Sequence, residues 1–306
     1  MTASTTDRAV EAASSSGPAA AGHGVRRLSA LRRAVRLAAI LSAFAGFWGG
    51  AVLLAWLVLP LVAWFAPRLS TRPRIACQRV VAWTFRVFHG YMRALGLLDA
   101  RVVSDLPRFE RGPVVFVANH TTLVDVTAIL SRIPNVSCIA KPVYSSNPFV
   151  GRLLRLAGFL DAGRGVEERA GVVTAAVERL GEGGHVLVFP EGTRSPEGGM
   201  RRLQRGAFEI ACRAKVPVVP LVLRCEPSAL RKGQKVWDQP DGLAVLSIAA
   251  LPPIDPAEFG HSSRRMRDAV DARYRTELGL TIAGPLQSSG AEGRAAPDTG
   301  STEERE

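Results

Sequence analysis

The apolar positions of this chain form one long run near the N-terminus and, from residue 114 onward, a series of short blocks. The blocks are bounded by Gly, Pro or polar residues, and they alternate with stretches whose apolar positions have the helical period. Strands are predicted at 114–118, 136–140, 158–161, 185–189, 217–223 and 243–250, and helices at 124–133, 148–157, 167–180 and 204–214. This alternation predicts an α/β domain with a mixed, largely parallel sheet covered by helices.

The long run extends from Leu37 to Pro67 and contains no charged residue. A single helix of this length would measure about 45 Å, against a hydrocarbon core of about 30 Å. Two arrangements fit: a tilted membrane span, or a membrane-embedded hairpin of two shorter helices broken around Gly46, Gly49 and Gly50. Arginines are dense on both sides of the run, and basic flanks prefer the cytoplasmic face. The sequence therefore favours the hairpin, which returns both flanks to one side.

The remaining chain divides by composition. Residues 1–25 are rich in small and polar residues without periodicity, and we predict a disordered leader. Residues 26–76 hold the basic flank and the membrane segment, and 77–280 form the predicted α/β domain. Residues 281–306 are rich in Gly, Ser, Pro and Glu and are predicted to be a disordered tail.

The formal net charge is +12, with 39 Lys and Arg against 27 Asp and Glu. Such a balance indicates an anionic partner, but charge alone does not choose between nucleic acid, lipid headgroups and an acidic carrier protein. The four cysteines have no paired spacing, which argues against a disulfide framework or a zinc site and is compatible with a reducing compartment.

Candidate chemistry lies in residues 114–125, VVFVANHTTLVD. Here His120 and Asp125 occupy the connection from a predicted strand to a predicted helix, where open α/β sheets place functional side chains. A neutral imidazole can take a proton from a hydroxyl when a carboxylate fixes its tautomer and orientation. The alternative is a turn histidine beside a helix N-terminal aspartate.

A second candidate segment, FPEGTRS at 189–195, follows another predicted strand. Pro190 and Gly192 predict a turn that lets Glu191, Thr193 and Arg194 face the crevice with His120, and a guanidinium can bind a phosphate bidentately. The alternative is a capped surface turn with an exposed ion pair. No G-x-x-x-x-G-K-[ST] motif is present, which argues against nucleotide binding by a P-loop.

Four blocks together resemble the 1-acylglycerol-3-phosphate acyltransferase family, over about residues 80–250. They are NHTTLVD (119–125), GFLDAGR (158–164), FPEGTRS (189–195) and VPVVPL (216–221). The second block departs from the family, which usually has an acidic residue where this chain has Gly163. The resemblance implies that His120 is a general base oriented by Asp125, with no metal or cofactor. The implied substrate-binding residues are Lys141, Arg164, Glu191, Gly192, Thr193 and Arg194.

The activity implied by this resemblance is acyl transfer from an acyl-CoA or acyl carrier protein thioester to lysophosphatidic acid, which gives phosphatidic acid. Membrane lipids are the implied partners rather than nucleic acid, and the catalytic domain is expected on the cytoplasmic face of the inner membrane. No G-x-S-x-G elbow is present, and Cys138 and Cys212 lie in predicted core elements. Direct transfer is therefore favoured over an acyl-enzyme.

Two alternatives remain. The distinctive segment CEPSALRKGQKVWDQP, residues 225–240, does not match the family pattern and could serve another lysolipid or a specialised lipid acceptor. In a different class, the chain could be a non-catalytic basic membrane-binding protein, which the intact His120 and Asp125 pair argues against.

Overall fold

The computed structural model describes residues 19–104, 112–235 and 237–280, with side chains from residue 30 onward. Seven strands form one sheet in the order β1-β7-β6-β2-β5-β3-β4. They are β1 Leu98–Val102, β2 Val115–Ala118, β3 Val136–Ala140, β4 Leu160–Asp161, β5 His185–Val188, β6 Val218–Glu226 and β7 Ala244–Ala250. Neighbouring strands are parallel except β6 and β7, which are antiparallel. The predicted fold class is confirmed.

Helices cover both faces of the sheet. The helices are α1 Ala19–Leu53, α2 Leu59–Phe65, α3 Pro73–Ala94, α4 Asp125–Leu130, α5 Pro142–Ser145, α6 Gly151–Leu156, α7 Val166–Gly181, α8 Gly206–Ala214 and α9 Ser263–Leu278. Side chains of α3 and α4 pack on one face, and those of α7, α8 and α9 pack on the other. This layered arrangement leaves the carboxyl ends of the central strands at one edge of the sheet.

The central strand β2 is buried on both faces, as expected of a parallel strand between two helical layers. Phe116 and Ala118 point into one hydrophobic cluster, and Val115 and Val117 point into the other. This alternation follows from the two-residue period of a strand. Because β2 is packed on both faces, its end at Ala118 is held in place, and so is the start of the turn that follows it.

Strand β1 is absent from the strands that the sequence predicted, the first of which begins at residue 114. Its second residue, Asp99, is buried and accepts a hydrogen bond from Arg101 at 2.7 Å, with Arg93 3.6 Å away. Two of the five residues of β1 are charged, so the strand is not an apolar run and the sequence pattern does not predict it. The ion pair that allows Asp99 to be buried forms only in the folded chain.

The N-terminal apolar run forms continuous helical structure rather than a pair broken at the glycines. Helix α1 passes through Gly46, Gly49 and Gly50, and a π-helical turn at Leu54–Val58 leads into α2. The break predicted at these glycines is therefore wrong. The chain reverses only after the 3₁₀ turn Ala66–Leu69, where Ser70 is left-handed, and α3 then runs back along α1.

Residues Ala30–Leu69 form one helical stretch long and apolar enough to cross a membrane. Large apolar side chains on it are exposed, among them Leu57, Leu61 and Trp64. Both ends of this stretch contact the α/β domain. Arg36 donates to the Gly242 carbonyl at 3.0 Å, and Arg74 forms an ion pair with Glu182 at 2.8 Å.

The predicted terminal segments lie mostly outside the described residues. Helix α1 begins at Ala19, so residues 19–25 of the predicted leader are helical. Residues 1–18 and the predicted tail, 281–306, lie outside the described residues and stay predictions.

Candidate active site

His120 and Asp125 meet at the carboxyl end of β2, where the chain turns into α4. His120 Nδ1 lies 2.9 Å from Asp125 Oδ2, and Asp125 is the first residue of the helix. This pairing leaves the other imidazole nitrogen, Nε2, free to act on a substrate. The geometry is the one that the sequence predicted for the pair.

The Asp125 carboxylate is fully buried and held by the turn that precedes it. The backbone N–H groups of Thr121 and Thr122 donate to Oδ2 at 2.5 and 2.8 Å, and the Thr122 hydroxyl donates to Oδ1 at 2.5 Å. The His120 ring lies against Phe189, with 4.5 Å between ring centroids. Both members of the pair are therefore fixed in orientation before any substrate binds.

Glu191 ties the two candidate segments together. Its Oε1 accepts from His120 N at 3.1 Å and from Ser195 Oγ at 2.7 Å, and its Oε2 accepts from Arg201 N at 2.8 Å. The side chain is 4 % exposed. The substrate contact predicted for this carboxylate stays a prediction, since protein donors reach both of its oxygens in this structure. Its position fixes the backbone of the histidine.

A cavity of about 1110 Å³ opens in front of His120, between the sheet edge and the N-terminal helices. Of the predicted binding residues, Lys141, Gly192, Thr193 and Arg194 line it. Its walls extend along apolar side chains of α1 and α3, including Phe44, Phe47 and Phe85. One cavity thus joins a polar end that carries the histidine to an apolar wall.

Gly192 makes the turn that brings Thr193 and Arg194 to this cavity. Its φ of +68° is left-handed, and a Cβ there would lie 2.7 Å from Gln204 Nε2. Both the backbone conformation and the lack of space favour glycine. We expect any larger residue at this position to displace the Arg194 backbone.

Arg164 lies apart from the other predicted residues. It is exposed and lines a smaller pocket of about 520 Å³ with Ser146, Asp161 and Glu168, and it is not among the residues that line the cavity of His120. The structure does not support grouping this arginine with Lys141 and Arg194. The departure at Gly163 falls in the same turn.

The thiols near the site are poor nucleophiles. Burial raises the pKa of Cys138, on the cavity wall, to about 12, and raises that of Cys225 to about 11. Burial also raises the pKa of the Cys212 thiol. These groups stay protonated near neutral pH, so His120 is the better candidate for reactive chemistry. Within the described ranges, no group of three or more His, Cys, Asp or Glu side chains could hold a metal.

The sequence singled out residues 225–240 for a possible acceptor but named no site residue within them. Leu230, Lys232 and Gln239 line the cavity, and the Leu230 carbonyl accepts from Arg194 Nη1 at 2.8 Å. The only signal was that this segment did not match the family pattern. By contrast, the strand predicted at 217–223 is present as β6, in which Val218, Val219 and Leu221 are fully buried.

Comparisons with known proteins agree with this geometry. Residues 100–224 match a family model described as Acyltransferase. A 1-acyl-sn-glycerol-3-phosphate acyltransferase of Saccharomyces cerevisiae is 33% identical over 157 residues, 49% of this chain and 51% of that protein. One from Chlamydomonas reinhardtii is 33% identical over 143 residues, 46% of this chain and 43% of that protein. The chain spans about half the length of these curated relatives.

The fold is also that of a solved structure. The crystal structure of the 1-acyl-sn-glycerophosphate (LPA) acyltransferase PlsC from Thermotoga maritima superposes with a TM-score of 0.60 and 21% sequence identity. The match covers 83% of this chain and 96% of that chain. The agreement therefore extends well beyond residues 100–224.

Proposed function

Because residues 100–224 of this chain match a family model described as Acyltransferase, we propose that the protein transfers an acyl group from a thioester to the free hydroxyl of lysophosphatidic acid. The product is phosphatidic acid. The relatives named above carry this acceptor in their names. The observation that carries the proposal is the 2.9 Å contact between His120 Nδ1 and Asp125 Oδ2 at the wall of a cavity with a polar and an apolar part.

His120 acts as the general base in this mechanism. With Nδ1–H donating to Asp125, Nε2 accepts the hydroxyl proton as the acceptor oxygen attacks the thioester carbonyl. The tetrahedral intermediate then collapses, the C–S bond breaks, and the leaving thiolate takes the proton from Nε2. No acyl-enzyme is formed in this scheme. The turn at Gly192 and Thr193, on the same cavity wall, is the place we propose for oxyanion donors.

The acceptor's phosphate binds Arg194 and Lys141 in this proposal, since both line the cavity beside His120. A charged donor to a phosphate makes a stronger hydrogen bond than a neutral one. The acyl chains occupy the apolar wall formed by the N-terminal helices. The thioester donor is carried by coenzyme A or acyl carrier protein, and we keep both as candidates.

The apolar helices attach the protein to the inner membrane, with the catalytic domain on the cytoplasmic side. Support comes from the contacts of Arg36 with Gly242 and of Arg74 with Glu182, since the two ends of the apolar stretch reach the same domain. Single cysteines replacing Arg33 and Thr71, in a protein without native cysteines, should both react with an impermeant thiol reagent only after cells are permeabilised. Labelling of one alone in intact cells would indicate a single span.

The acceptor is tested by mass spectrometry of products formed by the purified protein in detergent. The panel contains lysophosphatidic acid, lysophosphatidylglycerol, lysophosphatidylethanolamine and monoacylglycerol, each with acyl-CoA and with acyl carrier protein. We expect phosphatidic acid to form fastest, and His120→Ala to abolish it. Faster transfer to another lysolipid would retain the acyltransferase and replace the acceptor. If the folded protein transfers to none of these acceptors, the proposal is wrong.

A further inference from the structure

Segment 225–240 lies beyond the residues matched by the family model, which end at 224. One of its carbonyl groups nevertheless contacts both the NHTTLVD block and the FPEGTRS block. The Leu230 carbonyl accepts from the Leu123 N–H at 3.1 Å and from Arg194 Nη1 at 2.8 Å. Leu123 belongs to NHTTLVD and Arg194 to FPEGTRS. The direction of this carbonyl therefore affects both where the guanidinium lies and how the two blocks are spaced.

The backbone of Leu230 is in a conformation that its own side chain disfavours. Its φ is +53°, in the left-handed region that residues other than glycine rarely adopt. Such a conformation persists only where its surroundings hold it, and it is found often at functional sites. Something next to Leu230 must therefore supply the constraint.

Gln239 supplies it. Its Oε1 accepts from Leu230 N at 2.9 Å, and its Nε2 donates to the Lys235 carbonyl at 2.9 Å. One side-chain amide thus fixes two points of the segment, and one of them is the strained residue. Gln239 also lines the cavity, as Arg194 does, so a substitution of Gln239 alters the lining of the same cavity.

We propose that Gln239 is a positioning residue for Arg194, which it holds in place through the backbone of Leu230. Segment 225–240 thereby sets the affinity for the acceptor's anionic headgroup. The identity of that headgroup as a phosphate rests on the proposed function, but the contact between Gln239, Leu230 and Arg194 does not.

The expected effect is on binding rather than on the chemical step. Without the Gln239 acceptor, Leu230 can leave the left-handed region, its carbonyl turns, and Arg194 loses its anchor. A free arginine must be ordered again each time the headgroup binds, which lowers affinity. The His120 and Asp125 pair keeps its own donors from Thr121 and Thr122, so the proton transfer is unaffected.

The test compares kcat and KM for lysophosphatidic acid in three variants. Gln239→Leu should raise KM about 3- to 10-fold, the value of one hydrogen bond, with kcat within about twofold of the parent. Gln239→Glu keeps an oxygen acceptor for Leu230 N but adds a negative charge that repels the anionic headgroup, so it should recover only part of this loss. Asn147→Leu is the control, because Asn147 Oδ1 also accepts from a backbone N–H, that of Phe149 at 2.9 Å, but lies in the turn before α6.

A double-mutant cycle separates positioning from a general effect on folding. In an Arg194→Ala background, Gln239→Leu should raise KM no further, since the anchored group is gone. An equal rise in KM in that background would overturn the proposal, and so would an equal rise from Asn147→Leu. A fall in kcat with unchanged KM would overturn it as well.

A second readout does not depend on activity. Phenylglyoxal modifies accessible arginines, and peptide mass spectrometry measures the rate at Arg194 in the full-length protein. Gln239→Leu should speed modification of Arg194, while Asn147→Leu should leave it unchanged. If the protein proves inactive on lysophosphatidic acid, the proposed function fails, yet these rates still decide whether Gln239 holds Arg194. Equal rates in parent and Gln239→Leu protein would reject that role.

Discussion

The two ends of the polar site are held in different ways. At the proton-transfer end, Asp125 is fully buried and receives hydrogen bonds from His120, Thr121 and Thr122. At the end that we propose binds the headgroup, Arg194 is half-buried and is anchored on a carbonyl of segment 225–240, and Lys141 is exposed. The difference suggests that proton transfer demands a fixed geometry, whereas headgroup binding can be adjusted by a segment outside the family model.

The largest effect is expected from His120→Ala, at the rigid end. Loss of a general base should lower kcat by about 10²- to 10⁴-fold. The fold should persist, because the His120 backbone contacts to Glu191 and Ser195 do not involve the imidazole. The rate of phosphatidic acid formation and the circular dichroism spectrum check both points. Near-normal turnover by a folded variant would reject the mechanism.

Asp125→Asn is expected to lower turnover by roughly 10²-fold. An amide N–H facing Nδ1 would favour the tautomer with its proton on Nε2, which cannot accept one from the hydroxyl. The substitution also disturbs the Thr121 and Thr122 donors, so thermal unfolding must be measured alongside kcat. Thr122→Val, which removes the hydroxyl donor to Oδ1 and the acceptor of the Val124 N–H, is the control for that disturbance. A larger loss of kcat in the control would assign the effect to the turn.

Arg194→Ala tests the adjustable end. Loss of one charge-assisted hydrogen bond, worth about 1.5 to 3 kcal/mol, should lower kcat/KM for lysophosphatidic acid by about 10- to 100-fold. Transfer to monoacylglycerol, which lacks the phosphate, should change little. Arg194→Lys should recover only part, because an ammonium cannot present the planar fork. An equal fall for both acceptors would show that Arg194 supports the fold or the donor instead.

The sequence predicted those parts of the site whose contacts join residues close together in the chain. His120 and Asp125 are five residues apart and meet within one turn, and the buried runs of β2, β3 and β5 are visible as apolar blocks. Glu191 is different, because its partners His120 and Arg201 come from separate segments. Only the folded chain shows that its oxygens are already occupied.

The same reasoning explains the error in the N-terminal helix. Glycines were expected to break it, but glycine only lowers helix propensity, and packing overrides propensity. Helix α3 lies along α1, with Tyr91 Oη donating to Ser42 Oγ at 3.0 Å and Phe88 5.4 Å from Phe47. Those contacts involve residues more than 40 positions apart, which no local pattern predicts.

Tyr274→Phe should lower the stability of the sheet below His120 by a modest amount. The Tyr274 hydroxyl donates to the carbonyls of Val117 at 2.5 Å and Leu221 at 3.2 Å, within the sheet below His120. Its burial raises the pKa of the phenol well above the usual value. Losing this donor should lower the free energy of unfolding by about 1 to 2 kcal/mol. Urea unfolding measures it, with the more exposed Tyr91→Phe as control.

A larger loss of stability in Tyr274→Phe than in Tyr91→Phe would show that α9 helps to hold the strands below His120. Helix α9 lies outside the residues that match the family model. If Tyr274→Phe and Tyr91→Phe changed stability equally, the buried hydrogen bond would have no special role.

The smallest effect is expected from Arg164→Ala, which tests whether the headgroup end reaches as far as the family resemblance implies. Arg164 is exposed, lines a separate pocket with Asp161 and Glu168, and is not among the residues lining the His120 cavity. An exposed charge outside the cavity lining contributes little, because solvent and salt screen it. We therefore expect kcat/KM for lysophosphatidic acid to fall by less than about threefold, within the range of an ordinary surface substitution.

Arg169→Ala provides the comparison for this experiment, since Arg169 is exposed in the same region but does line the main cavity. A fall of 10-fold or more from Arg164→Ala, about the size expected for Arg194→Ala, would mean that the turn at Gly163 moves when substrate binds and brings Arg164 to the phosphate. The turn that carries Arg164 would then move on binding, while Arg194 is held by a single carbonyl. The headgroup end would differ from the fixed pair of His120 and Asp125 by more than the unliganded geometry indicates.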